Sequence, residues 1–224
     1  MIRAQGIDIS KWQGFYNPVL NPPRPVDFVI QRTSYGMKKD ELLYQIQPNV
    51  LKAPIKGCYH FYSSAVEWKP QCDLFLSIMK PYDFWAWDVE KAFNAPSNSF
   101  VYGALRAMEY LAKESGKPGL IYTGPSVWFE WLTPIQADLR KYDLWTANYW
   151  WNRSMTNPQI LSTMRQDWRF WQYTDKACTD NGKLFGVGSY GLDLNCFNGD
   201  VAALHAWAKP VAPKLCPTCG QPIP

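Results

Sequence analysis

Two carboxylates placed two residues apart are the first candidates for chemistry in this sequence. They end the apolar stretch Phe84-Trp-Ala-Trp-Asp88-Val-Glu90. Alternate side chains of a β-strand share a face, so Asp88 and Glu90 are predicted to project in the same direction. Two carboxylates held close together push their pKa values apart, so that one stays ionised while the other holds a proton near neutral pH. Acid catalysis at a glycosidic bond requires that division.

Two more acids lie in short apolar segments near the two ends of the chain. Asp8 lies in Gly6-Ile-Asp-Ile-Ser10, and Asp193 lies in Gly191-Leu-Asp-Leu-Asn195. An ordinary strand end, with acids that are solvated or paired with a lysine, is the alternative for Asp88 and Glu90. The stretch by itself leaves both interpretations open, because short motifs carry a false-positive risk.

Eight short strands are predicted to position these acids. They cover residues 6–10, 27–34, 55–62, 84–90, 119–124, 143–149, 170–174 and 191–195. Helical spacing follows the early strands at 42–52, 68–80 and 98–114, and a last helix covers 199–209. This alternation predicts an α/β fold that closes into a TIM-like barrel. The connections after strands five to seven look irregular, so the back half is predicted to lack full helices.

Composition narrows the class of partner. The net charge is +4 and no dense block of Lys and Arg occurs, which argues against nucleic acid. A mildly basic protein is still attracted to an anionic polymer such as a bacterial cell wall. Aromatic residues make up 16% of the chain, including 12 Trp and 13 Tyr. Such rings can form floors for sugars, or they can simply fill the core.

No targeting signal is visible in the sequence. Residues 1–6 have no apolar segment typical of a signal peptide, and no apolar run reaches membrane-spanning length. We therefore expect synthesis in the cytoplasm, no insertion into a membrane, and release by another agent if the protein acts outside.

Only two histidines occur, His60 and His205. His60 is interpreted as a hydrogen-bonded core residue rather than a ligand or base.

The C-terminal residues 210–224 are predicted to form a Pro- and Cys-rich tail, separate from a catalytic barrel over 1–209. Cys216 and Cys219 could supply half of a zinc site, which would need two more ligands from a distant Cys or a partner chain. A thiol pair, a disulfide or the remnant of a longer module are the alternatives, and no metal or cofactor is predicted. The other four cysteines are expected to be buried thiols; they are Cys58, Cys72, Cys178 and Cys196.

Several segments together resemble the family 25 glycoside hydrolases, the Chalaropsis-type lysozymes. The opening Gly6-Ile-Asp8-Ile-Ser-Lys-Trp-Gln13 carries the likeness first. The later segments in the same order are Arg32-Thr-Ser-Tyr-Gly36, Gly57-Cys-Tyr-His-Phe-Tyr62, Trp87-Asp-Val-Glu90, Ile121-Tyr-Thr-Gly124, Trp145-Thr-Ala-Asn-Tyr149, Trp171-Gln-Tyr173 and Gly191-Leu-Asp-Leu-Asn195. They span the chain from Gly6 to about Phe197.

The resemblance implies a modified barrel with five β/α units followed by three further strands. It also implies hydrolysis of the β-1,4 bond between N-acetylmuramic acid and N-acetylglucosamine in peptidoglycan. Glu90 matches the family's catalytic acid, and Asp88, Asp8 and Asp193 match the other three acids of its site. The negative charge of Asp88 is expected to raise the pKa of Glu90. The reaction also needs a second carboxylate, for which Asp8 and Asp193 are the candidates. This carboxylate acts either as a direct nucleophile or by assisting attack by the substrate's own N-acetyl group.

Three tyrosines at predicted strand ends are candidates for sugar binding, with core packing as the alternative; they are Tyr62, Tyr122 and Tyr149. Trp150 and Trp151 could form a groove wall or a hydrophobic plug. The partner implied is a peptidoglycan glycan strand, and the chain is expected to act as a monomer, released by a holin or carried on a phage particle. A non-catalytic wall-binding barrel and a chitinase-like glycosidase are the rival hypotheses.

Overall fold

The computed structural model describes residues 2–19, 25–90, 97–149, 164, 167–175 and 182–209. Its strands are β1 (Gln5–Ile9), β2 (Phe28–Tyr35), β3 (Lys38–Lys39), β4 (Ile55–Phe61), β5 (Phe84–Asp88), β6 (Gly119–Thr123), β7 (Asp143–Ala147), β8 (Trp168–Thr174) and β9 (Asp193–Phe197). Its α-helices are α1 (Leu43–Val50), α2 (Trp68–Met79), α3 (Asn98–Ser115), α4 (Pro125–Glu130), α5 (Gln136–Leu139) and α6 (Val201–Ala208).

Eight of the strands close into a barrel, because β1 pairs with β2 on one side and with β9 on the other. The short β3 adds only a hairpin to the edge of β2. The predicted TIM-like α/β barrel is therefore confirmed. The strands β1, β2 and β4 to β8 run parallel to their neighbours in turn, whereas β9 runs antiparallel to both β8 and β1.

The reversed direction of β9 decides where its acid lies. The first residue of β9, Asp193, lies at the barrel end where the seven parallel strands finish. In the antiparallel ladder it is the direct Cα partner of Asp8. The first and last strands are thus neighbours, as a closed barrel predicts, and their two acids meet.

Helices follow the early strands. In the described residues α1 follows the β2–β3 hairpin, α2 follows β4, α3 follows β5, and α4 and α5 follow β6. The predicted helix at 98–114 is observed as α3, where the Ser97 side chain accepts from the N–H of Phe100 and Gly116 ends the helix at φ 63°. In the described part of the chain, β1 is followed by a 3-10 turn, Lys11–Gln13, and another such turn, Lys183–Phe185, precedes β9.

Aromatic side chains fill the barrel interior near the start of the parallel strands. Polar groups occupy the end where those strands finish. Phe84 stacks on Phe170 at 5.3 Å, and Phe170 meets Phe28 edge-on at 5.0 Å. Gly57 makes room for this packing, because a Cβ there would collide with the Phe84 ring. Along β5 the residues alternate, so that Phe84, Ala86 and Asp88 face the interior while Trp85 and Trp87 pack under the helices.

His60 is a core residue on the helix-facing side of β4. Its Nδ1 accepts from the Ser34 hydroxyl at 2.8 Å, and its Nε2 lies 3.1 Å from the Gln71 amide oxygen. The ring stacks on Trp87 with centroids 4.5 Å apart. Burial lowers the pKa of His60 to about 4, so the ring is neutral. The predicted hydrogen-bonded core histidine is confirmed.

Cys58, Cys72 and Cys196 are buried free thiols, as expected. The predictions for Cys178, for Trp150 and Trp151, and for the tail with Cys216 and Cys219 lie outside the described residues. In the ranges that the structure covers, no helix combines the length and the apolar character needed to cross a membrane.

Candidate active site

A cavity of about 130 Å³ opens at the end of the barrel where the parallel strands finish. Four acids belong to its walls, together with three tyrosines, a tryptophan and a glutamine. The lining residues are Asp8, Tyr59, Asp88, Glu90, Tyr122, Trp145, Tyr149, Gln172 and Asp193. All four acids predicted from the sequence therefore meet in one place.

Strand ends position the acids. Asp88 is the last residue of β5, and Glu90 follows two residues later on the same side. Asp8 lies in β1, and Asp193 opens β9. Asp88 is 3% exposed, and its buried Oδ1 has no hydrogen-bond partner in the part of the chain described. A solvated or lysine-paired strand end, the alternative for this acid, is therefore wrong.

A chain of hydrogen bonds holds Asp8. Its Oδ2 accepts from Nε2 of Gln172 and from Nδ2 of Asn195, each at 2.7 Å. The Asn195 oxygen accepts in turn from the Trp145 indole N–H at 2.8 Å. The Gln172 oxygen accepts from the hydroxyls of Tyr122 at 2.9 Å and Tyr149 at 2.6 Å. Buried polar networks of this kind fix side-chain geometry when every member is satisfied.

Burial is the first cause of the raised pKa values of Asp8 and Asp193, because removal from water disfavours the charged form. The two amide donors oppose that rise at Asp8. At Asp193 the negative charge of Asp8 adds to the rise, and so does that of Asp175. The pair therefore divides its protons unequally.

Asp88 and Glu90 form a second coupled pair. Burial raises the pKa of both carboxyls. We expected the charge of Asp88 to raise the pKa of Glu90. The pKa is raised, but burial and the charge of Asp8 cause the rise, and the hydrogen bond with Asp88 opposes it. The pKa of Asp88 is raised further than that of Glu90, because Asp88 is the more deeply buried member and has the charge of Glu90 beside it. Arg32 from β2, bonded through Nε to Asp40 at 2.8 Å, places a positive charge that lowers the pKa of Asp88.

Two of the three predicted sugar-binding tyrosines line the cavity. Tyr122 is buried close to Glu90, and Tyr149 is 45% exposed at the rim. Tyr62 does not reach the cavity. Its ring stacks on Phe100 at 4.7 Å, its hydroxyl donates to the Phe100 carbonyl at 3.3 Å, and it is 2% exposed. The proposal that Tyr62 binds sugar is therefore wrong.

Strand parity explains this error. Tyr62 shares its face with His60 and Cys58, as the sequence indicated, but that face lies under the helices. The interior face of β4 carries Tyr59, whose Cα partner on β5 is Ala86, two residues before Asp88. Counting back by two from Asp88 and aligning the neighbouring strand would have identified Tyr59.

Sequence reasoning also missed Gln172, Trp145 and Asn195. Each stands in a segment already matched to the family, but none is an ionisable acid or base of the kind that attracts a catalytic role. The sequence feature that could have identified them is a polar group within a strand that is otherwise apolar. Gln172 and Asn195 are buried at 2% and 0% exposure, and such amides need partners.

We expect Tyr62→Phe to leave the activity and the KM unchanged, because Tyr62 does not line the cavity. The lost hydrogen bond to the Phe100 carbonyl should lower the free energy of unfolding by about 1 kcal/mol. Urea unfolding and steady-state kinetics on the same preparation test both expectations. A rise in KM at unchanged stability would restore Tyr62 to the binding site.

The comparison with known families agrees with this geometry. The sequence profile described as "Glycosyl hydrolases family 25" matches residues 7–181. The chain belongs to glycosyl hydrolase family 25. The match covers more than half of the chain and includes three of the four cavity acids, while Asp193 lies beyond its end. Membership in family 25 also sets aside the chitinase-like alternative.

Two known proteins are similar to this chain over most of its length. Lysozyme M1 of Streptomyces globisporus is 29% identical over 228 residues, covering 93% of this chain and 72% of that protein. The catalytic domain of endolysin ply40 from bacteriophage P40 of Listeria monocytogenes is 26% identical, with a TM-score of 0.68 and coverage of 91% of this chain and 97% of that one.

The uncharacterized protein YegX of Escherichia coli strain K12 is 28% identical over 156 residues. That match covers 68% of this chain and 52% of YegX, so the chain spans about half the length of this curated relative.

Proposed function

We propose that this chain hydrolyses peptidoglycan at the β-1,4 bond between N-acetylmuramic acid and N-acetylglucosamine. The observation that carries the proposal is the meeting of four acids in one cavity at the catalytic end of a family 25 barrel. The similarity to Lysozyme M1 and to the ply40 endolysin domain supports it.

Glu90 is the proposed general acid. It lies on the cavity wall and is less buried than Asp88, so it can reach the glycosidic oxygen. Protonation of that oxygen lets the bond to the anomeric carbon break without expelling an alkoxide. Burial raises the pKa of Glu90, which favours the protonated form that this role requires, and Asp88 orients Glu90 through their hydrogen bond.

The positive charge that develops at the anomeric carbon requires a second carboxylate on the cavity wall. Asp8 and Asp193 are the proposed helpers there. The helper either attacks that carbon directly or stabilises attack by the substrate's N-acetyl oxygen. Tyr122 and Tyr149 border the same wall, where their hydroxyls can bond sugar substituents and the half-exposed Tyr149 ring offers a stacking face.

Digestion of purified peptidoglycan tests the proposed bond. The new reducing ends are reduced with borohydride and identified by mass spectrometry. Reduced muramic acid is the expected product. Reduced glucosamine would keep a glycosidase but contradict the muramidase, and binding to the wall without products would favour a non-catalytic glycan-binding barrel.

We also propose that the chain acts on the bacterial cell wall as a monomer, reaching it through holin-type release or as part of a phage particle. The similarity to a phage endolysin domain supports the route. Light scattering should give one chain per particle, and cytoplasmic expression should lyse cells only when a pore-forming holin is co-expressed.

A further inference from the structure

The two oxygens of Asp8 have different surroundings. Oδ2 receives N–H groups from Gln172 and Asn195 at 2.7 Å each, which are short charge-assisted distances. Asp193, at the paired position on β9, also hydrogen-bonds the Asp8 carboxyl.

The orientation of both amides follows from their other partners. An indole N–H can only donate, so the Asn195 oxygen must face Trp145 and its NH₂ must face Asp8. The Gln172 oxygen accepts from two tyrosine hydroxyls, which turns its NH₂ to the same Asp8 oxygen. A proton on Oδ2 would point at two N–H groups, so Oδ2 stays unprotonated.

The groups that face the pair oppose a second negative charge. Among the described residues, those coupled electrostatically to Asp8 or Asp193 are acids or phenols: Tyr59, Asp88, Glu90, Tyr122, Tyr149 and Asp175. In such surroundings two adjacent buried carboxyls retain one proton between them. Because the two amide N–H groups stabilise the ionised form of Asp8, that proton belongs to Asp193, which donates it towards Asp8.

We propose that Gln172 and Asn195 are positioning residues that place the negative charge on Asp8 and the proton on Asp193. Asp8 is then the anion opposite the anomeric carbon, and Asp193 is a neutral hydrogen-bond donor. The catalytic part of this assignment rests on the proposed function, whereas the charge assignment does not.

The two acids should therefore respond differently to the same substitution. Asp193→Asn keeps a neutral donor and should retain kcat within about tenfold of the unchanged protein, since the site loses no charge. Asp8→Asn removes the anion and should lower kcat by about 10² to 10³, the range for losing one electrostatic stabiliser. Each variant is the matched control for the other, because the two residues are paired across one ladder position.

Carbon-13 NMR of aspartate-labelled protein tests the charge assignment without reference to activity. The Cγ signals are assigned with Asp8→Asn and Asp193→Asn. At neutral pH the Asp8 signal should be that of a carboxylate and the Asp193 signal that of a protonated acid. In Gln172→Met the Asp8 midpoint should rise by about one pH unit, because one of its two N–H donors is gone. Tyr149→Phe, which leaves both donors on Asp8, should not move it.

The outcomes separate the two proposals. A protonated Asp8 beside an ionised Asp193, or equal loss of kcat in both Asn variants, would overturn the inference. Correct NMR signals in a protein that does not cut peptidoglycan would overturn the proposed function alone. Circular dichroism checks folding; if Gln172→Met does not fold, the titration of the unchanged protein still decides which acid carries the charge.

Discussion

Glu90→Gln should lower kcat on peptidoglycan by at least about a hundredfold, while binding to intact cell wall is retained. The amide has nearly the shape of the carboxyl but cannot deliver a proton to the glycosidic oxygen, and general acid catalysis contributes about 10² to 10⁴ to such rates. Glu90 lies on the cavity wall beside Asp88 and Tyr122, so the substitution changes the reacting surface without creating a void.

The matched control is Glu114→Gln, which makes the same chemical change on the exposed side of α3. Its activity should equal that of the unchanged protein. The measurement is the rate of reducing-end formation across pH values. Glu90→Gln should also remove the alkaline fall of kcat, because that fall reports loss of the acid's proton. Full activity in Glu90→Gln would transfer the role to Asp88, the other member of the pair.

The fold was predictable because each barrel strand carries its own apolar signal. β5 shows this best: its apolar residues end in Asp88, and the period of two places that acid inside the barrel with Phe84 and Ala86. The antiparallel direction of β9 could not be read from its five residues, since strand direction depends on the connection rather than on the side chains.

The acids of the site could be predicted from the sequence. The residues that hydrogen-bond to them or pack beside them could not. An acid in an apolar strand is visible at once, because it contradicts its surroundings. Tyr62 was misplaced because the sequence shows which side chains share a face but not which face is inside. Gln172 was missed because its importance comes from contacts with Asp8 and two tyrosines that are far apart in the chain.

Asp193→Asn should make the protein more stable, increasingly so as the pH rises. The Asp8–Asp193 pair has pKa values of about 6 and about 9, both raised from 3.8 chiefly by burial. An acid whose folded pKa is raised stabilises the fold fully at pH values below its unfolded pKa. That stability is lost as the pH rises towards the folded value, because the unfolded chain has already released its proton.

Between pH 6 and pH 9 the folded pair keeps one proton that the unfolded chain does not, so stability falls by about 1.4 kcal/mol per pH unit from this source. The amide introduced by Asp193→Asn carries no such proton. The difference in unfolding free energy between Asp193→Asn and the unchanged protein should grow by up to about 3 kcal/mol from pH 6 to pH 8. Urea unfolding at both pH values measures it, with the exposed Asp138→Asn as control.

A flat difference would mean that the unchanged pair releases both protons by pH 6, which would remove the basis for a neutral Asp193. The expected growth of this difference with pH would show that the active site lowers the stability of the fold. Four acids in one cavity oppose folding at the pH where one of them must be charged. The stacked phenylalanines beneath the cavity supply apolar burial that does not depend on pH. An Asp193→Asn variant that is more stable and still active would show that the reaction needs a neutral hydrogen-bond donor at this position and no negative charge there.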